Sequence, residues 1–124
     1  MTMSLKVLIN QESNYLLFKV QGEYSLDAFK SLFSKIHEES MEKGYKNILV
    51  DISEVSGTMG GMDSYTLGET ASRIWGNLKI AFVYRGEQIN KFFENVVVNR
   101  GVQTIIVQDV NLALEWLIGS ASNR

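Results

Sequence analysis

The chain has 124 residues, of which 45% are hydrophobic and 21% are charged, as expected of one globular domain that needs no disulfide or metal to fold. Its net charge of -2 and its scattered Lys and Arg residues argue against nucleic-acid binding. Because the chain has no Cys, a disulfide framework, a thiol nucleophile and thiolate metal sites are excluded.

The N-terminal sequence MTMSLKVLIN lacks the basic segment and the long apolar run of a secretory signal. No later stretch approaches the roughly eighteen apolar residues that a membrane span needs, so we expect a cytoplasmic protein without a transmembrane segment. Two alternating apolar segments, 5–10 and 15–22, flank the polar QESN and predict a β-hairpin.

An amphipathic helix is predicted for the segment that follows, SLDAFKSLFSKIHEESMEKG. Its apolar residues recur at three- and four-residue spacing, which places them on one face of the helix. They are Leu26, Phe29, Leu32, Phe33 and Ile36. Ser25 suits the N-cap of this helix, and Gly44 suits its C-terminal stop.

Beyond this helix, apolar strands alternate with amphipathic helices. NILVDI is an almost continuous apolar run, as expected of a central strand that is covered on both faces. After a glycine-rich loop, the pattern predicts a helix that begins at about Asp63 and ends at about Trp75. The predicted elements are strand 47–52, helix 63–75, strand 78–84, helix 88–101, strand 103–108 and helix 109–119, the last with Asp109 as its cap.

The element order is thus β-β-α-β-α-β-α-β-α. Strands that alternate with helices favour a mostly parallel sheet, and the opening hairpin makes that sheet mixed. We therefore expect a single α/β domain over residues 1–119, followed by a disordered tail at 120–124.

Candidate catalytic groups are few. His37 is the only His, and no second His or spaced carboxylate accompanies it, so a solvated or half-buried helix position is favoured over a general base. The loop SGTMGG has neither the Lys and spacing of a phosphate-binding Walker loop nor the dinucleotide fingerprint. We predict no catalytic residue, no metal site and no cofactor.

Polar side chains gather instead after the central strand, at the carboxyl edge where open α/β sheets usually carry function. They are Asp51, Ser53, Ser56, Thr58, Asp63 and Ser64. Ser64 would lie in the first turn of the next helix, where the helix dipole would stabilise a phosphoryl group. Such a group would add roughly two negative charges for a partner to recognise.

A purely structural interpretation of the same residues stays open. Asp63 is a good N-cap, and Thr66 with Glu69 would form a capping box one turn later. In that interpretation Ser64 is part of a helix start and carries no switch.

The element order and two short motifs resemble STAS domains, which include the bacterial anti-sigma-factor antagonists. In LVDISEV, Asp51, Ser53 and Val55 match the family's D-x-S-x-V strand end. The C-terminal half, from FFENVVVNRG to DVNLALEWL, is similar to the divergent SpoIIAA-like (STAS/SEC14-like) branch.

The second motif, DSYTLG, resembles the family's D-S-x-G-L-G helix start. Asp63, Ser64, Leu67 and Gly68 match it, and Thr66 stands where the family has its first Gly. The family's phosphorylation site is the first Ser of this motif, so the resemblance implies phosphorylation of Ser64.

The spacer before this motif is about four residues longer than in the antagonists. Counted without that insertion, the family's serine position falls on Gly60.

The leading hypothesis is a non-enzymatic regulatory or protein-interaction domain that docks a partner through the loop and helix start at 53–69. The resemblance implies a kinase or an anti-sigma-like regulator as that partner. A homodimer is a further expectation, because small domains with sheet edges or apolar helix faces often pair. The sequence does not indicate which surface would pair.

The alternative hypothesis is a carrier or sensor of an apolar small molecule or lipid. Met59 and Met62 are adaptable apolar side chains suited to a pocket. The 88–100 helix, with Phe92 and Phe93, would act as a lid or as a membrane-facing surface. Packing of these two phenylalanines on the sheet is the simpler interpretation.

Overall fold

The computed structural model describes residues 5–57, 59–85 and 91–119, including every side chain in these ranges except those of 91 and 92. Within them lie five strands and four helices in the predicted order. They are β1 (Lys6–Gln11), β2 (Leu16–Glu23), α1 (Leu26–Lys43), β3 (Asn47–Ser56), α2 (Gly61–Ile74), β4 (Lys79–Val83), α3 (Lys91–Asn99), β5 (Gln103–Val107) and α4 (Val110–Ile118). The first three residues of the predicted helix 88–101 and the tail at 120–124 lie outside the described residues.

The strands form one sheet in the order β1-β2-β3-β4-β5, so neighbours along the chain are neighbours in the sheet. β1 and β2 pair antiparallel, and every later pair is parallel. The predicted α/β fold with a mixed, mostly parallel sheet is therefore confirmed.

Helices α1, α2 and α3 cover one face of the sheet and enclose an aromatic core. The centroid of the Phe33 ring lies 4.6 Å from that of Trp75 and 5.8 Å from that of Phe93, and Phe82 of β4 packs edge-on against Phe93. The indole N–H of Trp75 donates to the backbone carbonyl of Phe33 at 3.2 Å, so its polar group is satisfied. Tilted and edge-on ring pairs stabilise a core beyond the area that they bury, so these aromatic contacts add to the stability of this face.

Helix α4 covers the opposite face, over β3, β4 and β5. Ala113 and Leu117 are buried there against Leu49 and the apolar side of β4. The central strands are thus covered on both faces, as their continuous apolar runs predicted. At the margin of this smaller core, the ammonium of Lys79 lies 4.8 Å from the ring centroid of Trp116, a cation–π contact.

Three predicted helix caps are confirmed. The Ser25 hydroxyl accepts a hydrogen bond from the Ala28 N–H at 3.1 Å, and the Asp109 carboxylate accepts one from the Leu112 N–H at 2.8 Å. Gly44 ends α1 in the left-handed conformation at φ 77°. Each cap pairs a backbone group that the helix end would otherwise leave unbonded.

Strand β3 is longer than predicted and ends at Ser56, four residues after Ile52. Between Asp51 and Glu54, two residues of β3 oppose one residue of β2, which is a β-bulge. The bulge reverses the side-chain alternation, so Val55 packs toward the core while Glu54 is exposed. The apolar run stops at Ile52, and the sequence pattern therefore ended the strand too early.

Helix α2 begins at Gly61, and its N-cap is Gly60 rather than the predicted Asp63. The predicted capping box of Thr66 and Glu69 is likewise wrong, because both residues lie inside the helix. Glycine takes the extended N-cap conformation about as readily as Thr, so a polar side chain was not needed to start the helix. Only residues 57–60 therefore separate β3 from α2.

Candidate functional site

The candidate site lies at the carboxyl edge of the parallel strands, where β3 ends and α2 begins. β2 ends beside β3, with Glu23 paired with Ser56. Tyr24, directly after β2, is therefore brought next to the connection between β3 and α2. Its backbone N–H donates to the carbonyl of Ser56 at 2.8 Å and extends the pairing by one residue.

The Tyr24 side chain ties three elements together at this edge. Its hydroxyl donates to the Asp63 carboxylate in the first turn of α2 at 2.8 Å. Its ring packs edge-on against Phe29 in α1, with 4.9 Å between the centroids. The ring contact joins the residue before the N-cap Ser25 to the fourth helical residue, which is a hydrophobic staple.

The environment of Tyr24 keeps its phenol protonated. Burial, then the hydrogen bond to Asp63 and the negative charge of that carboxylate, raise the pKa of Tyr24 far above its ordinary value of about 10. The phenol therefore remains a hydrogen-bond donor to Asp63 at neutral pH.

Gly57 makes the turn after β3 possible. Its φ of 97° lies in the left-handed region, and a Cβ there would lie 3.2 Å from the Cβ of Tyr24. A larger residue would therefore be strained and would push against Tyr24.

Asp63 contributes a negative charge to the first turn of α2, where the helix dipole favours it. Its carboxylate accepts from Tyr24 instead of capping the helix that carries it.

Ser64 lies inside the helix start and is only 1% exposed. Its hydroxyl donates to the Gly60 carbonyl at 2.8 Å, and its backbone N–H reaches the same carbonyl at 2.9 Å. The side chain thus points back along the helix, and a phosphoryl group on this oxygen requires the first turn to open.

Asp51 and Ser53 do not join Asp63 and Ser64. The Asp51 carboxylate accepts from the backbone N–H of Ser53 at 2.9 Å and from its hydroxyl at 2.6 Å, so both side chains are engaged at the bulge. With a rise of roughly 3.3 Å per residue, Asp51 lies about 16 Å before the end of the strand at Ser56. The structure therefore separates these residues into a bulge pair and an edge pair.

Ser56 is exposed as the last residue of β3, and its hydroxyl donates a long hydrogen bond of 3.4 Å to the Gly22 carbonyl. Thr58, the next predicted site residue, lies outside the described residues.

The first two turns of α2 expose two large apolar side chains. Met62 is 82% exposed and Tyr65 is 42% exposed, and their three-residue spacing places them on one face. Glu69, one turn further, accepts a hydrogen bond from the Tyr65 hydroxyl at 3.0 Å and forms an ion pair with Arg100 at 3.1 Å. We call the exposed residues Gly61, Met62 and Tyr65, together with the half-buried Glu69, the α2 surface.

The side chains predicted for an apolar ligand are scattered. Met59 is half-buried and packs against the core, whereas Met62 points to solvent. Phe93 is 2% exposed within the aromatic cluster, as the simpler interpretation held. The side chain of Phe92 lies outside the described residues. Met59 and Phe93 therefore belong to the same core, whereas Met62 lies apart from it on the surface.

The described part of the chain contains neither a cluster of metal-ligating side chains nor a membrane-spanning helix. Residues 5–57, 59–85 and 91–119 contain no group of three or more His, Asp or Glu side chains that would hold a metal ion. No helix in these ranges is long and apolar enough to cross a membrane. His37 is half-buried on α1, in agreement with the helix position favoured for it.

Sequence reasoning missed Tyr24. An aromatic residue directly before a Ser N-cap, with Phe29 five positions later, is a detectable staple signal. Its bond to Asp63 spans 39 residues and had no local signal.

Solved structures share this fold over nearly the whole chain. An anti-sigma factor antagonist from Mycobacterium paratuberculosis is 16% identical with a TM-score of 0.61, and the match covers 93% of this chain and 95% of that one. The antagonist SpoIIAA in its unphosphorylated form is 12% identical with a TM-score of 0.53, over 92% and 99% of the two chains.

An uncharacterised protein with a SpoIIAA-like fold from Shewanella loihica is 21% identical with a TM-score of 0.51, and 94% of this chain and 96% of that one are covered. No protein-family model matches the sequence, and no curated protein matches it either. The SpoIIAA-like, STAS-type fold that the two motifs implied is confirmed by these structures.

Proposed function

We propose that this chain is a non-enzymatic regulatory domain that docks a partner protein through the α2 surface. The observation that carries the proposal is the exposed pair Met62 and Tyr65 at the start of a helix on the carboxyl edge. Met, Tyr and Arg are enriched in protein interfaces. Arg100 is connected to this pair by its ion pair with Glu69, which also accepts the hydrogen bond from Tyr65.

The proposed partner is a regulator of the kind that anti-sigma factor antagonists meet, such as an anti-sigma kinase. Two of the structures that share the fold bear the name of such antagonists, although at 16% and 12% identity they support the fold alone.

The helix start also leaves room for a partner's backbone. Apart from its chain neighbours and its own helix backbone, a Cβ added at Gly60 or Gly61 would meet no described atom within 4 Å. Gly60 supplies no side-chain cap to the first N–H groups of α2, and an acceptor on the partner would take that place.

Exposed-residue substitutions test the docking. In pull-downs from lysate of the source cell, Met62→Glu and Tyr65→Glu should lose a partner that the unmodified chain retains. Met41→Glu is the matched control, because Met41 is 65% exposed on α1, away from the α2 surface. Equal capture by all four proteins would exclude the α2 surface as the docking site.

Phosphorylation of Ser64 is the finer proposal within this function. Negative charge is favoured near the start of α2, and a phosphoryl group would change the charge next to Met62 and Tyr65. Because the Ser64 hydroxyl is bonded to Gly60, modification would unfold the first turn and remodel the docking surface.

Phosphopeptide mass spectrometry of the chain isolated from its source cell tests this switch. We expect phosphate on Ser64, and we expect Ser64→Asp to lose the partner that Ser64→Ala keeps. Circular dichroism of both variants verifies that each is folded. An unmodified Ser64, with equal partner binding by both variants, would leave Ser64 as a helix-start residue alone.

A further inference from the structure

The two edges of the sheet are protected differently. β5 forms one edge, and α3 packs beside it. The Glu94 carboxylate of α3 accepts a hydrogen bond from the backbone N–H of Ile106 at 3.0 Å. A side chain that occupies an edge amide blocks the addition of another strand.

β1 forms the opposite edge, and no described residue pairs with its outer side. Among the described residues its only extensive contact with another element is with β2, and no described strand lies along its outer side. An edge strand with unpaired N–H and C=O groups is a template for a further strand.

The hairpin bond determines which β1 groups point outward. The Glu12 N–H donates to the Tyr15 carbonyl at 3.0 Å, and the same register continues through β1 without a shift. Hydrogen-bonded pairs alternate with non-hydrogen-bonded pairs in an antiparallel ladder. Every second residue from Glu12 therefore bonds to β2, and the outward groups belong to Val7, Ile9 and Gln11.

We propose that two copies of this chain pair through β1, antiparallel, about a two-fold axis at Leu8. Leu8 then faces Leu8 of the second copy, Val7 pairs with Ile9, and Lys6 lies opposite Asn10. Leu8 is 55% exposed in the single chain and becomes covered, and no like charges face each other. The two five-stranded sheets would become one continuous sheet with an isologous interface.

The apolar pattern selects this axis over a shifted one. With the axis at Leu8, apolar residues meet apolar residues on both faces of the sheet, because Val7 and Ile9 face the helices. An axis at Ile9 would place Leu8 opposite Asn10 and Val7 opposite Gln11. Cross-strand apolar pairs stabilise a sheet more than such mismatched pairs.

Two short strands bury less area than the roughly 1,600 Å² of a standard interface. The dimer is therefore weak, and its population rises with protein concentration.

Single cysteines locate the axis directly, because the chain has no other Cys. Directly opposed residues place their Cβ atoms about 4.5–5.5 Å apart, close enough for a disulfide after a small adjustment. Under mild oxidation Leu8→Cys should form a covalent dimer on a non-reducing gel. Ile9→Cys should remain largely monomeric, because Ile9 lies opposite Val7 of the second copy. The two Cys residues at position 9 would then be diagonal neighbours, roughly 7–8 Å apart.

Sedimentation velocity over a concentration series supplies the second measurement. The unmodified chain should self-associate, and Leu8→Lys should weaken the dimer by about tenfold or more through two opposed charges. Leu112→Lys is the matched control, because Leu112 is 48% exposed on α4.

A chain that stays monomeric at every concentration would overturn the proposal. The proposal would also be overturned if Ile9→Cys formed as much covalent dimer as Leu8→Cys. Equal effects of Leu8→Lys and Leu112→Lys on self-association would overturn it too. The β1 edge is separate from the α2 surface, so any of these results leaves the docking proposal standing.

Discussion

The outer side of the first turn of α2 and the packed side of its last two turns have opposite environments. At the start, Gly61 and Met62 are exposed, and space around the backbone is open. Two turns later, Gly68 and Ala71 are buried, and Trp75 follows in the aromatic core. One helix therefore carries the candidate docking surface at one end and part of the core at the other, so substitutions can affect one without the other.

Gly68 shows how closely the second half of α2 is packed. A Cβ at this position would lie 2.6 Å from Cγ1 and 2.8 Å from Cβ of Val96 in α3. Glycine here allows the two helices to approach, whereas Gly60 and Gly61 face open space. The motif match at Gly68 therefore has a packing reason.

The largest expected effect is at the core end. Trp75→Ala should lower the free energy of unfolding by about 3–5 kcal/mol, because it removes a buried ring and leaves a cavity. Met62→Ala should change it by less than about 0.5 kcal/mol. Guanidinium denaturation followed by circular dichroism measures both, and similar losses would contradict the division of α2 into two ends.

Gly68→Ala should destabilise the protein by about 1–3 kcal/mol through overpacking, although Ala is the better helix former. Gly61→Ala is the matched substitution at the open end and should be neutral or slightly stabilising. Combining Gly68→Ala with Val96→Ala should recover part of the loss in a double-mutant cycle. Strictly additive losses would show that the two residues do not collide.

Tyr24→Phe should cost about 1.5 kcal/mol, because it deletes a hydrogen bond to a carboxylate while retaining the ring contact with Phe29. Urea denaturation at neutral pH measures this loss. Asp63→Asn, which keeps an acceptor but removes the charge, should cost less. A larger loss for Asp63→Asn would show that the charge in the first turn matters more than the Tyr24 bond.

The same phenol predicts a dependence on alkaline pH. The pKa of Tyr24 is raised in the folded protein, so its stabilisation is complete below the unfolded value of about 10 and is lost as the pH rises above it. Tyr24→Phe should flatten the decline in stability above that pH.

Tyr15, whose pKa is raised by burial and by the charge of Glu12, accounts for a separate part of this decline. Tyr15→Phe is therefore the control, and the double variant should decline least. An alkaline profile unchanged by Tyr24→Phe would contradict the assignment.

The smallest effect is expected at the helix start. Gly60→Ser should raise the free energy of unfolding by a few tenths of a kcal/mol, because the hydroxyl would cap an N–H of the first turn. A rise in the thermal midpoint measures it. Gly57→Ser should instead destabilise, since Gly57 has φ 97°. If Gly60→Ser destabilised the protein and Gly57→Ser did not, Gly60 would be the position whose backbone conformation requires glycine.

Local patterns predicted most of the fold. Ser25, Gly44 and Asp109 act within a few residues of their own positions, so their roles could be read from short segments. The central strand was identified from its apolar run.

The start of α2 and the bulge of β3 depend on what the chain meets elsewhere. The inward and outward alternation of side chains along β3 is interrupted before Val55. The cause is the bulge between Asp51 and Glu54, which exists only because β3 pairs with β2. The bond from Tyr24 to Asp63 likewise joins residues far apart in sequence. These features could be identified only once the strands of the sheet were placed beside one another.

The chain contains two tryptophans, Trp75 and Trp116, and they belong to cores on opposite faces of the sheet. Trp75 is shielded from water, whereas Trp116 is half-buried near the charge of Lys79. Their fluorescence spectra should therefore differ, and Trp75→Phe or Trp116→Phe would leave a reporter on one face only. Stopped-flow emission of the two variants would show whether both faces of the sheet unfold together.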